Sequence, residues 1–172
     1  MINQKEIRRL HSEESRVAFI RDVGREMLRL EKEKSPLIKE KPDIQEELLS
    51  SGVYYRTMFA KKGTLLTGKV HLQEHLSFFM KGRALIVSPE GVREVVAPER
   101  WVSKPGTQRV AFFLEDSEWT VVHNTKVDDI EQVENAVVVD DIDEYRRVMN
   151  ELGHNRGTSS NSTNLPIPAR PE

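Results

Sequence analysis

The chain contains no cysteine. That excludes a disulfide framework and thiolate metal ligands, so any metal would have to rest on nitrogen or oxygen. Long apolar runs are missing as well. No stretch approaches the about 20 apolar residues of a membrane-spanning helix, and Met1-Ile2-Asn3-Gln4-Lys5-Glu6 lacks the apolar run of a signal peptide. Both absences lead us to expect a soluble, cytoplasmic protein. Without an export signal, Asn161-Ser162-Thr163 is read as a chance match to a glycosylation acceptor. Charge of one sign is also lacking. Residues 1–50 balance to zero, 51–125 carry +3 and 126–172 carry −5, for a net charge of −2. A basic excess this small does not make the clustered face that nucleic acid requires. The balanced first 50 residues argue against a basic amphipathic membrane helix. Neither a glycine-rich phosphate loop nor a Ser-His-Asp ordering is present.

At 172 residues, with 37% apolar and 31% charged residues, the chain suits one compact domain of modest core with solvated extensions. Residues 3–34 predict helix: Ile7, Leu10, Val17, Ile20, Met27 and Leu30 recur at helical spacing. Ser12 can cap a second helix after a break near His11, and Pro36 forces an end. This helical arm needs cover from the barrel or from a second subunit, and we expect a homodimer or larger. Residues 43–49, with Pro42 before them and Gly52 beyond, predict a short helix.

The texture then changes. Val53-Tyr54-Tyr55-Arg56-Thr57-Met58-Phe59-Ala60 reads as a strand, and short strands follow to Thr125. Residues 83–88 and 92–97 flank Pro89-Glu90-Gly91 as one hairpin, and 109–114 and 118–123 flank Glu115-Asp116-Ser117 as a second. Such a series argues for a β-sandwich or barrel. Beyond it we expect a helical turn over 128–134, a short strand at 136–139, and a helix from Asp141 to Leu152 ended by Gly153. That helix should carry Ile142, Tyr145, Met149 and Leu152 on one side. The expected divisions are a helical arm (1–50), a β-barrel (51–125), a strand and helix packing on it (126–152) and a flexible tail (153–172).

The chemistry-bearing stretch runs from Gly63 to Gly82. Strand side chains alternate faces, so His71, Gln73 and His75 share one face if the strand stays regular. The spacing of Gly63, Lys69, His71, His75 and Gly82 resembles the first motif of the cupin superfamily, with Lys69 at the first histidine position and His75 at the glutamate position. A degraded second motif follows. With its second glycine at Gly106, Pro98 stands at the first glycine, Lys104 at the proline, Arg109 at the histidine and Phe113 at the asparagine. Residues 53–125 resemble the small single-domain cupins of bacteriophage and prophage genomes. The resemblance implies a mainly β, RmlC-like double-stranded β-helix (jelly-roll) barrel, and it implies that Lys69 and Arg109 replace two of the usual metal ligands.

Neutral imidazoles supply lone pairs to transition metals, so His71 and His75 are the first metal candidates. His123 is the third if the second hairpin has a three-residue loop, which sets Arg109 opposite it on the same face; a two-residue loop sets Val110 there instead. Three histidines with an open position suit zinc, iron, nickel or manganese. The alternative is that they only hydrogen-bond inside a polar barrel. Arg109, with Lys69 beside it and Gln73 nearby, suits a small anionic or polar ligand, unless Arg109 pairs internally with Glu74 or Glu118. Tyr54 or Tyr55, with Phe79, Phe113 and Trp119, is read as core first and pocket wall second. Three function classes stay open: a small-molecule-binding protein, a metal-dependent cupin enzyme of isomerase or dioxygenase type, and a structural or host-interaction protein without a site. If phage-encoded, the protein would work in the host cytoplasm.

Overall fold

The computed structural model describes residues 4–33 and 42–156. A single helical turn and a long helix open it, α1 (Gln4–Ile7) and α2 (Glu13–Lys32). They break near His11 as the sequence predicts, and the Ser12 hydroxyl accepts from the Ser15 amide at 3.1 Å to cap the second. The strands are β1 (Asp43–Leu48), β2 (Val53–Ala60), β3 (Leu65–Thr67), β4 (Val70–His71), β5 (His75–Lys81), β6 (Arg83–Ser88), β7 (Gly91–Val96), β8 (Glu99–Ser103), β9 (Val110–Phe113) and β10 (Ser117–Asn124). Helix α3 (Ile130–Val137), strand β11 (Val138–Val139) and helix α4 (Ile142–Arg156) complete the chain.

All strand pairings are antiparallel. A five-stranded sheet in the order β1-β2-β10-β5-β8 faces a four-stranded sheet in the order β3-β9-β6-β7, and β11-β4 forms a small third sheet. This is the expected mainly β, jelly-roll architecture with helices at both ends. Ala60 and Phe79 of the larger sheet meet Ala84, Ile86, Val95, Ala111 and Phe113 of the smaller one, and Met58, Trp101 and Trp119 close the core. Two motif glycines are required by geometry. Gly82 turns β5 into β6 at φ +86°, where a Cβ would lie 2.5 Å from the Asp116 carbonyl. Gly106 sits at φ +74°, where a Cβ would strike the Tyr145 ring at 2.7 Å.

The outer face of the smaller sheet is covered from within the chain. Ile7, Ile20 and Val23 of the arm pack on Leu85, Val87 and Val110, with Leu10, Phe19, Met27 and Phe112 around them. Most of the arm's apolar stripe is thus buried on its own sheet, with Val17 and Leu28 left exposed, and the main reason for expecting a second subunit at that face falls away.

Several expectations are corrected. Residues 43–48 form an edge strand on β2, not a helix. Its side chains are exposed apart from the half-buried Leu48, so the pairing comes from the open β2 edge and from tyrosine clasps: Tyr54 donates to Glu46 at 2.7 Å and Tyr55 donates to Glu47. Tertiary pairing here overrides the helical reading. Strands β9 and β10 do not form a hairpin. Strand β9 lies between β3 and β6, and β10 between β2 and β5, so residues 114–116 cross from sheet to sheet. The cause is that β9 is apolar on both faces, Ala111 and Phe113 inward and Val110 and Phe112 outward, and only the sheet under α2 covers both. Strand β8 was not anticipated. Helix α3 extends through Val137, with the Asp129 carboxylate capping it. Helix α4 runs past Gly153 to Arg156 and buries Val148, leaving Met149 exposed. The rest of the predicted tail, 157–172, lies outside the described residues.

Candidate metal centre

Three histidines from three segments meet at one end of the sandwich. His71 ends β4, whose ladder with β11 sets it opposite Val138, and its carbonyl accepts from the Gly106 amide at 2.9 Å. His75 opens β5 opposite Ser103 of β8. His123 lies on β10 opposite Tyr54 of β2. The β5–β10 register, with Leu76 across from Val122, brings His75 and His123 side by side on the inner face. The ring centroids lie 3.8 Å (His71–His75), 4.9 Å (His71–His123) and 4.7 Å (His75–His123) apart. One ligand nitrogen from each lies within 4.8 Å of the others.

The convergence does not arise as expected. The strand breaks after His71 and resumes at His75, so the alternation of 71, 73 and 75 is not what aligns them. Gln73 takes part through its backbone carbonyl, 3.4 Å from His75 Nδ1. Lys69 is drawn elsewhere: its Nζ lies 3.3 Å from Glu134 Oε1 and 3.2 Å from Asp140 Oδ1, and Arg56 reaches the same Glu134 oxygen at 2.9 Å. These ion pairs dock α3, whose Val133 and Val137 pack against Tyr54. Arg109 faces the interior from the smaller sheet. Neither Glu74 nor Glu118 pairs with it. It lines a depression of about 280 Å³ with Ile86, Ser88, Glu90, Arg93 and Trp101. A second depression of the same size, lined by Val53, Glu74, Leu76, Val102, Val122 and Asn124, opens onto His75 and His123.

Electrostatics keep the imidazoles neutral. Burial pushes His71 down to about 2, with His75, His123, Arg109 and Arg56 adding repulsion. Burial likewise brings His75 to about 4, against the opposing carbonyl of Gln73, and His123 to about 3. Neutral rings offer lone pairs, which is the state a metal needs.

The donor set fits a borderline cation. His71 Nδ1 and His123 Nε2 share a hydrogen bond at 3.0 Å, one ring donating to the other. The same separation is close to the about 3.0 to 3.4 Å between neighbouring nitrogens on one ion at Zn–N distances near 2.1 Å, so a metal would take the place of that shared proton. The carbonyl at His75 Nδ1 fixes that ring's tautomer and frees Nε2, the outer support common for ligating histidines. His123 Nδ1 is buried with no partner. No carboxylate joins the cluster among the described residues, and Arg109 and Arg56 add positive potential, so affinity should fall below that of a site with an acidic ligand.

No protein-family model and no curated protein matches the chain. Solved structures do match. Several of them are cupins. An RmlC-like cupin from Shewanella frigidimarina is 11% identical, with 53% of this chain aligned to 82% of that one at a TM-score of 0.44. KdgF from Halomonas sp. is 13% identical over 54% of this chain and 86% of that one, TM-score 0.45. Salicylate 1,2-dioxygenase from Pseudoaminobacter salicylatoxidans is 10% identical over 62% of this chain and 31% of that one, TM-score 0.46. The fold reading itself rests on the two antiparallel sheets.

Sequence reasoning found the three histidines but missed the groups around Arg109. Glu90 and Arg93 read as hairpin surface, and Trp101 lay in a stretch given no strand. The usable signal was alternation: Trp101, Ser103 and the inward residues of β5 share one face once β8 is recognised.

Proposed function

We propose that this chain is a cupin-like small-molecule-binding protein whose His71, His75 and His123 together hold one divalent transition metal, zinc, iron, nickel or manganese. An open coordination position would face a small polar or anionic ligand, with Arg109 as the charge that attracts it. The carrying observation is the meeting of three neutral imidazoles from three separate segments at one end of the sandwich. Lys69 and the Gln73 side chain, also proposed from sequence as ligand contacts, take lesser parts here, since Lys69 is already ion-paired. A phage-type origin rests on the sequence resemblance of residues 53–125.

A metal-dependent enzyme of isomerase or dioxygenase type is the second reading, favoured by a three-ligand set that leaves coordination positions free. Incubating metal-loaded protein with pooled cell metabolites, followed by mass spectrometry of bound and released species, separates the two. Recovery of an unchanged ligand supports the binder. A chemically altered product, lost on His71→Ala, supports the enzyme. Absence of both sinks the small-molecule reading.

A further inference from the structure

The depression at the β6–β7 turn holds an imbalance the metal centre does not explain. Arg109 is half-buried, and burial pulls its guanidinium below the usual arginine range, yet no side chain among the described residues accepts a hydrogen bond from it. Arg93, on the same wall, is satisfied: it pairs with Glu99 and lies 4.4 Å over the Trp101 ring. Trp101 Nε1 is a buried donor without a partner. Glu90, exposed at the β6–β7 turn, lines the same depression as an acceptor: the Ser88 hydroxyl beside it donates to the Gly91 carbonyl at 3.3 Å, and the Arg109 charge favours its carboxylate without bonding it. Its turn is fixed from outside, because Arg16 of α2 donates to the Pro89 carbonyl through Nε (3.0 Å) and Nη2 (2.8 Å). The walls therefore offer a forked cation at one place and a carboxylate at another, in a space of about 280 Å³.

We propose that this depression binds a small carboxylate that also carries a hydroxyl or ammonium donor, the carboxylate on Arg109 and the donor on Glu90. The proposal rests on the reading of the barrel as a small-molecule binder and names the ligand class. A guanidinium fork matches a carboxylate with two parallel hydrogen bonds. A simple anion would gain that fork but meet Glu90 as a repelling neighbour, whereas a ligand bearing a donor turns the same carboxylate into a partner. The space lies just under the about 300 to 1,000 Å³ of drug-sized pockets, which suits a compact ligand.

The test uses lactate, which has the donor, and propionate, which lacks it. Binding is read by saturation-transfer NMR on protein stripped of metal with a chelating resin, so that lactate cannot report by chelating an ion. Lactate is expected to bind about tenfold or more tightly than propionate, the contribution of a hydrogen bond to a charged group. Glu90→Gln should shrink that ratio several-fold, Arg109→Met should abolish binding of both, and Arg100→Met, on the exposed surface, should change neither. Arg109→Lys keeps the charge without the fork and should retain weakened binding, which guards against a folding defect in Arg109→Met. Equal binding of the two acids, no binding by stripped wild-type protein, or unchanged binding by Arg109→Met overturns the proposal. A protein that binds lactate but holds no metal refutes the metal reading alone, and one that holds metal but ignores lactate refutes this inference alone.

Discussion

Acid should destabilise the metal-free protein well before its carboxylates titrate. All three cluster histidines are held neutral in the folded state, at about 2, 4 and 3 for His71, His75 and His123, whereas an unfolded histidine titrates near 6.5. The unfolded chain therefore binds more protons below pH 6.5, and stability falls as pH falls. The contribution is fully present above 6.5 and declines toward the folded values. At pH 5.5 each histidine contributes about 1.4 kcal/mol of loss, so three give about 4 kcal/mol as an upper bound if nothing relaxes. For a chain of this size that is a fall of about 8 to 16 °C in melting temperature. The folded-state pKa values of Glu94, Glu134 and Asp116 are lowered by their cationic or hydrogen-bonding partners, so their loss belongs to a lower window, from the ordinary carboxylate range downward. The assay is thermal unfolding from pH 7.5 to 5.0 in low-phosphate buffer after metal stripping, for wild type and His75→Gln. The variant should lose about a third of the pH 7.5-to-5.5 shift. A melting temperature flat across that window would show that the rings are solvated and accept protons freely, and the buried cluster described here would be wrong.

Phe113→Ala should cost about 3 to 5 kcal/mol, read from the urea midpoint, because Phe113 is fully buried between the sheets; a loss below 1 kcal/mol would mean that the sandwich is not packed there. Glu134→Gln should loosen α3 by about 1 kcal/mol after allowance for its exposure, since it takes the shared carboxylate from Arg56 and leaves Lys69 only Asp140, and hydrogen exchange should rise over 130–137 ahead of the sheets. Unchanged exchange there would show that the apolar contacts of Val133 and Val137 suffice. Leu76 and Val102, paired across β5 and β8, are 46% and 56% exposed on the outer face of the larger sheet. With most of the arm's own stripe covered, that face is a remaining basis for the homo-oligomer expected from sequence. Sedimentation at micromolar concentration should show a dimer, and Leu76→Lys a monomer; a wild-type monomer refutes it.

The strand series, the glycine turns and the three histidines were legible because each has a local cause. Alternation gives strands, the tight turn after β5 demands Gly82, and imidazole is the one neutral nitrogen ligand in the inventory. What was not legible depended on partners distant in sequence. Asp43–Leu48 has a helical local pattern and becomes a strand because β2 has an open edge. The Arg109–His123 face-sharing was argued from a hairpin that does not exist. Both residues do face the interior, from opposite sheets, close enough for Arg109 to disfavour protonation of His71 and His75. Lys69 looked like a pocket cation because its partners, Glu134 and Asp140, lie about 65 to 71 positions along the chain, on α3 and just beyond β11.

The most direct test of the central reading is the metal content of the purified protein, measured by inductively coupled plasma mass spectrometry after growth in medium supplemented with zinc, iron, nickel and manganese. About one first-row metal per chain is expected for a single three-nitrogen site, falling to background in each of His71→Ala, His75→Ala and His123→Ala while the folded spectrum is retained. Metal-free wild-type protein that also shows no heat on titration with any of the four ions, or wild-type stoichiometry that survives loss of all three histidines, would contradict it.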